Sequence, residues 1–231
     1  MLKRIETWFE SIERRMRGSV GADIAQREAR RRAWLHFHLF DHAFFRYWWT
    51  NFDKVAEGVY RSNHPDPARL VRYKEMGIRS ILNLRGDDGR SPWLFEKEAC
   101  DALGIELRTA RIYARKPARR KEIVALIDTM RQMEKPFVMH CKSGADRAGF
   151  ASVLYKAVIE GVPLEEARKH LSLRYAHANW TATGIVGHIF DMYEARNAES
   201  PIDLETWFRT EYDHNTAAES FAAKRAGRRT T

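Results

Sequence analysis

Between residues 59 and 149 short apolar runs alternate with stretches of helical period, and most boundaries carry a glycine or proline. This alternation constrains the fold most, because strands separated by helices close into a mainly parallel sheet covered on both faces. Val59 and Tyr60 read as a short strand, His64-Pro65-Asp66-Pro67 as a turn, and Pro67 as the first position of a helix running to Met76 and ended by Gly77. Residues 78–84 (IRSILNL) form a predicted buried strand, 85–92 a loop, 92–103 a helix closed by Gly104, and 105–112 a strand. A helix over 118–133 and a buried strand over 136–140 (PFVMH) follow. Beyond Arg147 the pattern is helical: 148–160, 163–173, roughly 181–195 and 204–212. The expected fold is α/β, with a mainly parallel central sheet flanked by helices over 55–215. A helical, aromatic and basic extension precedes it over 1–54, and a flexible basic tail follows over 216–231.

Forty Lys and Arg against 31 Asp and Glu leave a formal charge of +9, which favours nucleic acid, an anionic membrane or an anionic substrate as partner. An apolar content of 44% with 27 aromatics builds a core and excludes a disordered basic chain. No uncharged apolar run approaches the ~18 residues of a membrane span. Charges in MLKRIETWFESIERRMRG fall where a signal peptide needs an apolar stretch, so a cytoplasmic protein is expected. Cys100 and Cys141 are too few for a disulfide framework or a Cys-rich zinc site, so any cysteine chemistry comes from one reduced thiol.

Leu2, Ile5, Trp8, Phe9, Ile12 and Met16 recur at helical spacing, Gly18 and Gly21 interrupt, and Asp23 is placed to cap a second helix near Ile24. Residues 34–52 then hold nine aromatics in 19 positions. Trp34, Phe37, Phe44, Phe45 and Trp48 share one helical stripe. Two readings stay open: packing across the α/β domain, or entry into an anionic membrane surface flanked by Arg30, Arg31, Arg32 and Arg46. His36, His38 and His42 are joined only by Asp41 and no cysteine, so no metal site is expected there.

The sharpest chemical feature is PFVMHCKSGADRAG, residues 136–149, where a buried strand delivers His140 and Cys141 into a tight loop that ends at Arg147 and opens a helix. Gly144 lets the chain curl, and the backbone amides of Lys142, Ser143, Gly144, Ala145 and Asp146 can point inward. The helix N-terminus adds positive potential at the same point, which suits a phosphate dianion and favours the thiolate of Cys141. Arg147 offers a planar fork to two phosphoryl oxygens.

HCKSGADRAG resembles the active-site loop of the cysteine-dependent protein tyrosine phosphatase superfamily, most of all its bacterial dual-specificity-like branch. Residues 59–86 (VYRSNHPDPARLVRYKEMGIRSILNLRG) resemble the opening of that domain, and the likeness spans roughly 55–195. It implies Cys141 as nucleophile, Arg147 as phosphate clamp, His140 as a neighbour tuning the thiolate, and a phosphocysteine intermediate formed without metal or cofactor. Two departures stand out. The family places Ser or Thr after the loop Arg, where this chain has Ala148, which implies a slow second step. The family also carries its general-acid Asp on a loop before the Cys, whereas residues 107–121 (LRTARIYARKPARRK) hold no acid and seven Lys/Arg. Asp146, which precedes Arg147 as in myotubularin-type and Sac-type lipid phosphatases, is the first alternative donor, and Asp87 and Asp88 on the loop after 78–84 are the second.

Arg108, Arg111, Arg115, Lys116, Arg119, Arg120 and Lys121 are expected to flank the mouth. With Lys142 they suit a multiply anionic substrate such as an inositol phosphate, a phospholipid headgroup or a phosphorylated glycolipid. The expected activity is a phosphomonoesterase, peripheral at a membrane in the second reading of residues 34–52. The alternative is a catalytically impaired phosphate-binding module of the same fold. Specific nucleic-acid binding is not expected, since no recognition motif accompanies the charge.

Overall fold

The computed structural model describes residues 24–39 and 48–227. Within them five strands, β1 (Asp53–Ala56), β2 (Val59–Asn63), β3 (Ser80–Asn83), β4 (Glu106–Thr109) and β5 (Phe137–Cys141), form one sheet in the order β1-β2-β5-β3-β4. β1 and β2 are an antiparallel hairpin, and the remaining pairings are parallel. Asn63 stands opposite Cys141 in the β2–β5 register, and Asn83 stands opposite His140 between β3 and β5. The parallel strands therefore finish on one edge of the sheet, with Cys141 ending the central strand, the edge at which sites of open α/β sheets form.

The helices are α1 (Arg27–Leu39), α2 (Pro67–Glu75), α3 (Ser91–Leu103), α4 (Arg120–Gln132), α5 (Asp146–Leu154), the short α6 (Leu164–Ala167), α7 (Ile185–Glu199), α8 (Leu204–Thr210) and α9 (His214–Gly227). Side chains alternate across a strand, so the wholly buried β5 feeds two cores. Phe137, Met139 and Cys141 join Ile123, Leu126 and Ile127 of α4, Phe150 and Leu154 of α5, and Phe190 of α7. Val138 joins Leu70 and Tyr73 of α2, Ile81 of β3 and Cys100 of α3. Each such Leu, Ile or Phe contributes about 1.5–3 kcal/mol on burial. Boundaries follow local chemistry: the Asp66 carboxylate accepts from Arg69 N before Pro67, and Gly104 ends α3 at φ 61°.

The mainly parallel, helix-flanked sheet agrees with expectation, and several local readings are corrected. The segment expected as extension up to residue 54 already contains the start of β1, a strand the sequence reading lacks because DKVA is short and half polar. Helix 163–173 shortens to α6 followed by 3-10 turns at Arg168–His170 and Leu173–Tyr175. Helix 148–160 begins earlier, at Asp146, and relaxes into a π-turn over Tyr155–Ile159. The basic tail expected from 216 is helical through Gly227, because Ala217 and Phe221 are buried against α7 and Ser220 Oγ lies 2.8 Å from His188 Nε2. Of the aromatic stripe, Trp34 stacks edge-on against Phe95 of α3 at 5.7 Å while 41% exposed, and Trp48 is 84% exposed. Phe44, Phe45, Arg46 and the predicted helix over residues 2–16 lie outside the described residues, and no side chain is described for Phe37. No helix of the described residues is long and apolar enough to cross a membrane.

Candidate active site

The loop from Cys141 to Arg147 curls because Gly144 adopts φ 74°, and a Cβ there would meet Asn63 N at 2.7 Å and Ser62 O at 2.8 Å. Two side chains from outside the loop decide which way its peptides face. Asn51 donates from Nδ2 to the Ser143 carbonyl at 3.1 Å and to the Tyr175 carbonyl at 3.0 Å. The wholly buried Arg61 of β2 donates to the carbonyls of Gly144, Ala145 and, at 2.7 Å, His170. In a trans peptide the C=O of one residue and the N–H of the next point opposite ways. Three carbonyls drawn back toward Asn51 and Arg61 therefore turn the N–H groups of Gly144, Ala145 and Asp146 forward, around the end of the strand that carries Cys141. Of these, the Ala145 N–H donates to Ser143 Oγ at 3.4 Å. The Arg61 guanidinium also lies 3.8 Å over the Tyr175 ring, and burial pushes it down to about 10.

Arg147 is half-buried in the first turn of α5, and its Nε is enclosed without a hydrogen-bond partner among the described groups. Cys141 is 1% exposed, at the floor of the cradle. His140 turns to the opposite sheet face, where its Nε2 lies 2.5 Å from Glu96 Oε1 of α3, both side chains fully buried. Asn83 Nδ2 donates to the other Glu96 oxygen at 2.6 Å, and His140 Nδ1 lies 3.4 Å from the Cys141 carbonyl. The ring of His64 stands edge-on to His140 at 4.8 Å. His64, Glu96 and His140 together place ligand atoms within 4.8 Å of one another, a two-histidine, one-carboxylate donor set. His140 Nε2 and Glu96 Oε1 meet at ion-pair distance without hydrogen-bond geometry, and Asn83 holds the other Glu96 oxygen, so the cluster sits as a buried polar group behind the nucleophile.

The proposed acids occupy different surroundings. Asp146 opens α5 with its side chain 17% exposed, and its Oδ1 lies 2.7 Å from Nδ1 of the fully buried His177. Asp87 and Asp88 are exposed turn residues that accept from Gly89 N and Arg90 N, each at 3.1 Å. Ala148 is buried and puts no hydroxyl beside the loop.

The basic run divides. Arg108 pairs with Glu106 at 2.6 Å, Arg111 donates to the carbonyls of Arg85 and Asp87, and Arg120 donates to the Tyr212 carbonyl, so these three brace the fold. Arg115 instead lines a cavity of about 430 Å³ with Arg225, Phe221 and Ala182. Lys116 and Arg119 line another of about 350 Å³ with Tyr113 and His214.

Asn51, Arg61, Glu96 and His177 did not stand out in the sequence. A buried arginine inside the strand VYRSN was the one available signal, since a charge among buried strand positions needs partners.

Comparison with known proteins gives the following. The model of the tyrosine phosphatase family matches residues 50–170, just over half of the chain. The dual specificity protein phosphatase TpbA from two Pseudomonas aeruginosa strains is 22% identical over 113 residues and 24% over 116. Each match covers 48% of this chain and 48% of the relative, so the chain spans about half the length of the curated relatives it matches. The crystal structure of P. aeruginosa TpbA superposes with a TM-score of 0.50 at 17% identity, covering 64% of this chain and 91% of that one. The core catalytic domain of the PP-IP phosphatase SIW14 from S. cerevisiae, in complex with citrate, does so with a TM-score of 0.50 at 16% identity, covering 67% and 97%. These likenesses establish the shared fold.

Proposed function

The chain belongs to the tyrosine phosphatase family, and on that premise we propose that it is a cysteine-dependent phosphatase hydrolysing phosphomonoesters through a phosphocysteine. The observation that carries this reading is the set of Gly144, Ala145 and Asp146 amides turned around Cys141 by Asn51 and Arg61. Donors fixed in advance stabilise charge that develops in the transition state without reorganising during reaction. Arg147, whose Nε has no hydrogen-bond partner among the described residues, clamps two equatorial oxygens of the phosphoryl group.

In the first step the Cys141 thiolate forms a P–S bond as the ester P–O bond breaks, and the departing oxygen takes a proton from Asp146. In the second, water attacks phosphorus, the P–S bond breaks to regenerate the thiolate, and the proton lost by water returns to Asp146. Asp146 is preferred over Asp87 and Asp88 because it adjoins Arg147 and holds a buried imidazole partner, whereas the other two sit in exposed turns.

The substrate class we propose is a multiply anionic phosphate ester. Lys142 within the loop and the acid-free basic run over residues 108–121 support it; the cavities that Arg115, Lys116 and Arg119 line include no residue of the loop from Cys141 to Arg147. Peripheral contact with an anionic membrane belongs to the same proposal, supported by exposed Trp34 and Leu35, which line one surface cavity with Arg30 and Arg31. Flotation with anionic vesicles tests that part, and absence of binding removes it.

Cys141→Ser should abolish hydrolysis of an aryl phosphate, orthovanadate should inhibit the native chain, and a chelator should leave it unaffected. Retained turnover in Cys141→Ser refutes the reading. The second reading, a phosphate-binding module, is favoured by Ala148 alone: it expects retention of phosphorylated ligand without turnover, while a burst of one product per chain indicates slow hydrolysis of the intermediate.

A further inference from the structure

The loop on which the family resemblance implies an acid, residues 107–121, contains no Asp or Glu. The structure brings a different proton-bearing group to the phosphate loop. His177 lies between the 3-10 turns Leu173–Tyr175 and Ala182–Gly184, is fully buried, and places Nδ1 2.7 Å from Asp146 Oδ1. Its Nε2 lies 2.8 Å from Asn179 Oδ1.

With the Asn179 amide oxygen, which only accepts, turned toward the ring, the ring hydrogen is assigned to Nε2, pointing at Asn179. Nδ1 is then an acceptor, facing a carboxylate oxygen at hydrogen-bond distance. Two acceptors at 2.7 Å repel unless a proton lies between them, so the Asp146–His177 contact is bridged by one proton shared between Oδ1 and Nδ1. Asn179 is itself held in place. A Cβ on Gly187 would come within 2.9 Å of its Oδ1, and one on Gly184 within 2.0 Å of its carbonyl, so α7 can begin this close only with glycine at both positions.

We propose that His177, locked by Asn179, is the positioning residue that keeps Asp146 charged with the proton for the leaving group, in place of an acid on residues 107–121. The inference rests on the phosphatase reading with Asp146 as donor. Asp146, 17% exposed, meets the ester; His177, wholly buried, acts through it. The proton passes from the Asp146–His177 pair to the ester oxygen as the P–O bond breaks. It is restored from the attacking water as the P–S bond breaks, so each cycle returns the pair to its starting state.

The test is the dependence of turnover on leaving-group basicity in the full chain. His177→Asn keeps a donor toward Asp146 but removes the acceptor that retains the proton. 4-Nitrophenyl phosphate, whose leaving group departs unaided, should be hydrolysed within about threefold of the native rate. Unsubstituted phenyl phosphate, whose leaving group needs the proton, should lose about 10²-fold, the ordinary contribution of a general acid. Equal losses on both esters, or none on either, overturn the proposal.

Should His177→Asn fail to fold, Asn179→Ala is read on the same two esters. In the native chain, ¹⁵N resonances of His177 must show hydrogen on Nε2; a ring bearing it on Nδ1 alone overturns the tautomer argument. Cys141→Ser measured in parallel separates the two levels. Activity surviving that change defeats the phosphatase reading, whereas cysteine-dependent turnover with an unchanged leaving-group response defeats only the role of His177.

Discussion

Arg61 supports the phosphate loop from beneath, and its removal has a calculable cost. Burial lowers its guanidinium to about 10, a net cost on the order of 3 kcal/mol to the folded state after Tyr175, Cys141 and Asp53 have offset part of the desolvation. Against this stand charge-assisted bonds to the carbonyls of Gly144, Ala145 and His170, each about 1.5–3 kcal/mol. Arg61→Met relieves the desolvation but leaves the Gly144 and His170 carbonyls enclosed without this donor, whereas the Ala145 carbonyl keeps the Gly149 N–H at 3.0 Å. The net loss should be about 2–4 kcal/mol, within the range for removing one partner from a buried ionic network.

The functional loss should be larger than instability explains. Released peptides no longer hold the Ala145 and Asp146 amides forward, and one lost oxyanion donor costs about 10²–10³ in rate. Urea unfolding followed by circular dichroism measures the first quantity, and kcat/KM with the inhibition constant of inorganic phosphate measures the second. Arg61→Lys should recover part of the stability, since one ammonium cannot span three carbonyls. If Arg61→Met stays within about 0.5 kcal/mol of the native chain and binds phosphate equally well, the claim that this side chain orients the loop is wrong.

Two further outcomes follow from neighbouring residues. Gly144→Ala forces a Cβ onto the Ser62–Asn63 backbone at φ 74°, so vanadate inhibition and turnover should fall at least about 10²-fold while far-ultraviolet circular dichroism stays native; an unaffected inhibition constant counts against the cradle geometry. Burial, and then proximity to Arg61, pushes the His170 imidazole down to about 4. The unfolded chain, with histidine near 6.5, takes up this proton first, so stability should fall as pH drops from about 6.5 to about 4. Solvent screening of the partly exposed ring reduces the effect to about 1–2 kcal/mol. Melting temperatures of His170→Gln and the native chain across that window should converge toward pH 4, and parallel curves would refute the assignment.

Much of this fold is local in origin and was legible in the chain. Residues 78–84 and 136–140 are short apolar runs bounded by turn formers, and they became β3 and β5; Pro67 and Gly104 marked helix ends where the backbone obeyed them. The loop from Cys141 to Arg147 was legible for the same reason, since its glycine, amides and arginine lie within seven consecutive residues. β1 was missed because its stability comes from pairing with β2 rather than from its own composition.

The amino-acid order alone determined the strand–helix alternation, the position of Cys141 at the end of a buried strand, and the absence of an acid on residues 107–121. Only the tertiary structure decided which groups orient and serve that loop: Asn51 reaches Ser143 across 92 positions, Arg61 reaches Gly144 across 83, and His177 reaches Asp146 across 31. Periodicity and turn chemistry are short-range and can be read from neighbours. Peptide orientation and proton position instead depend on buried donors and acceptors that meet only once the sheet has paired and the core has closed.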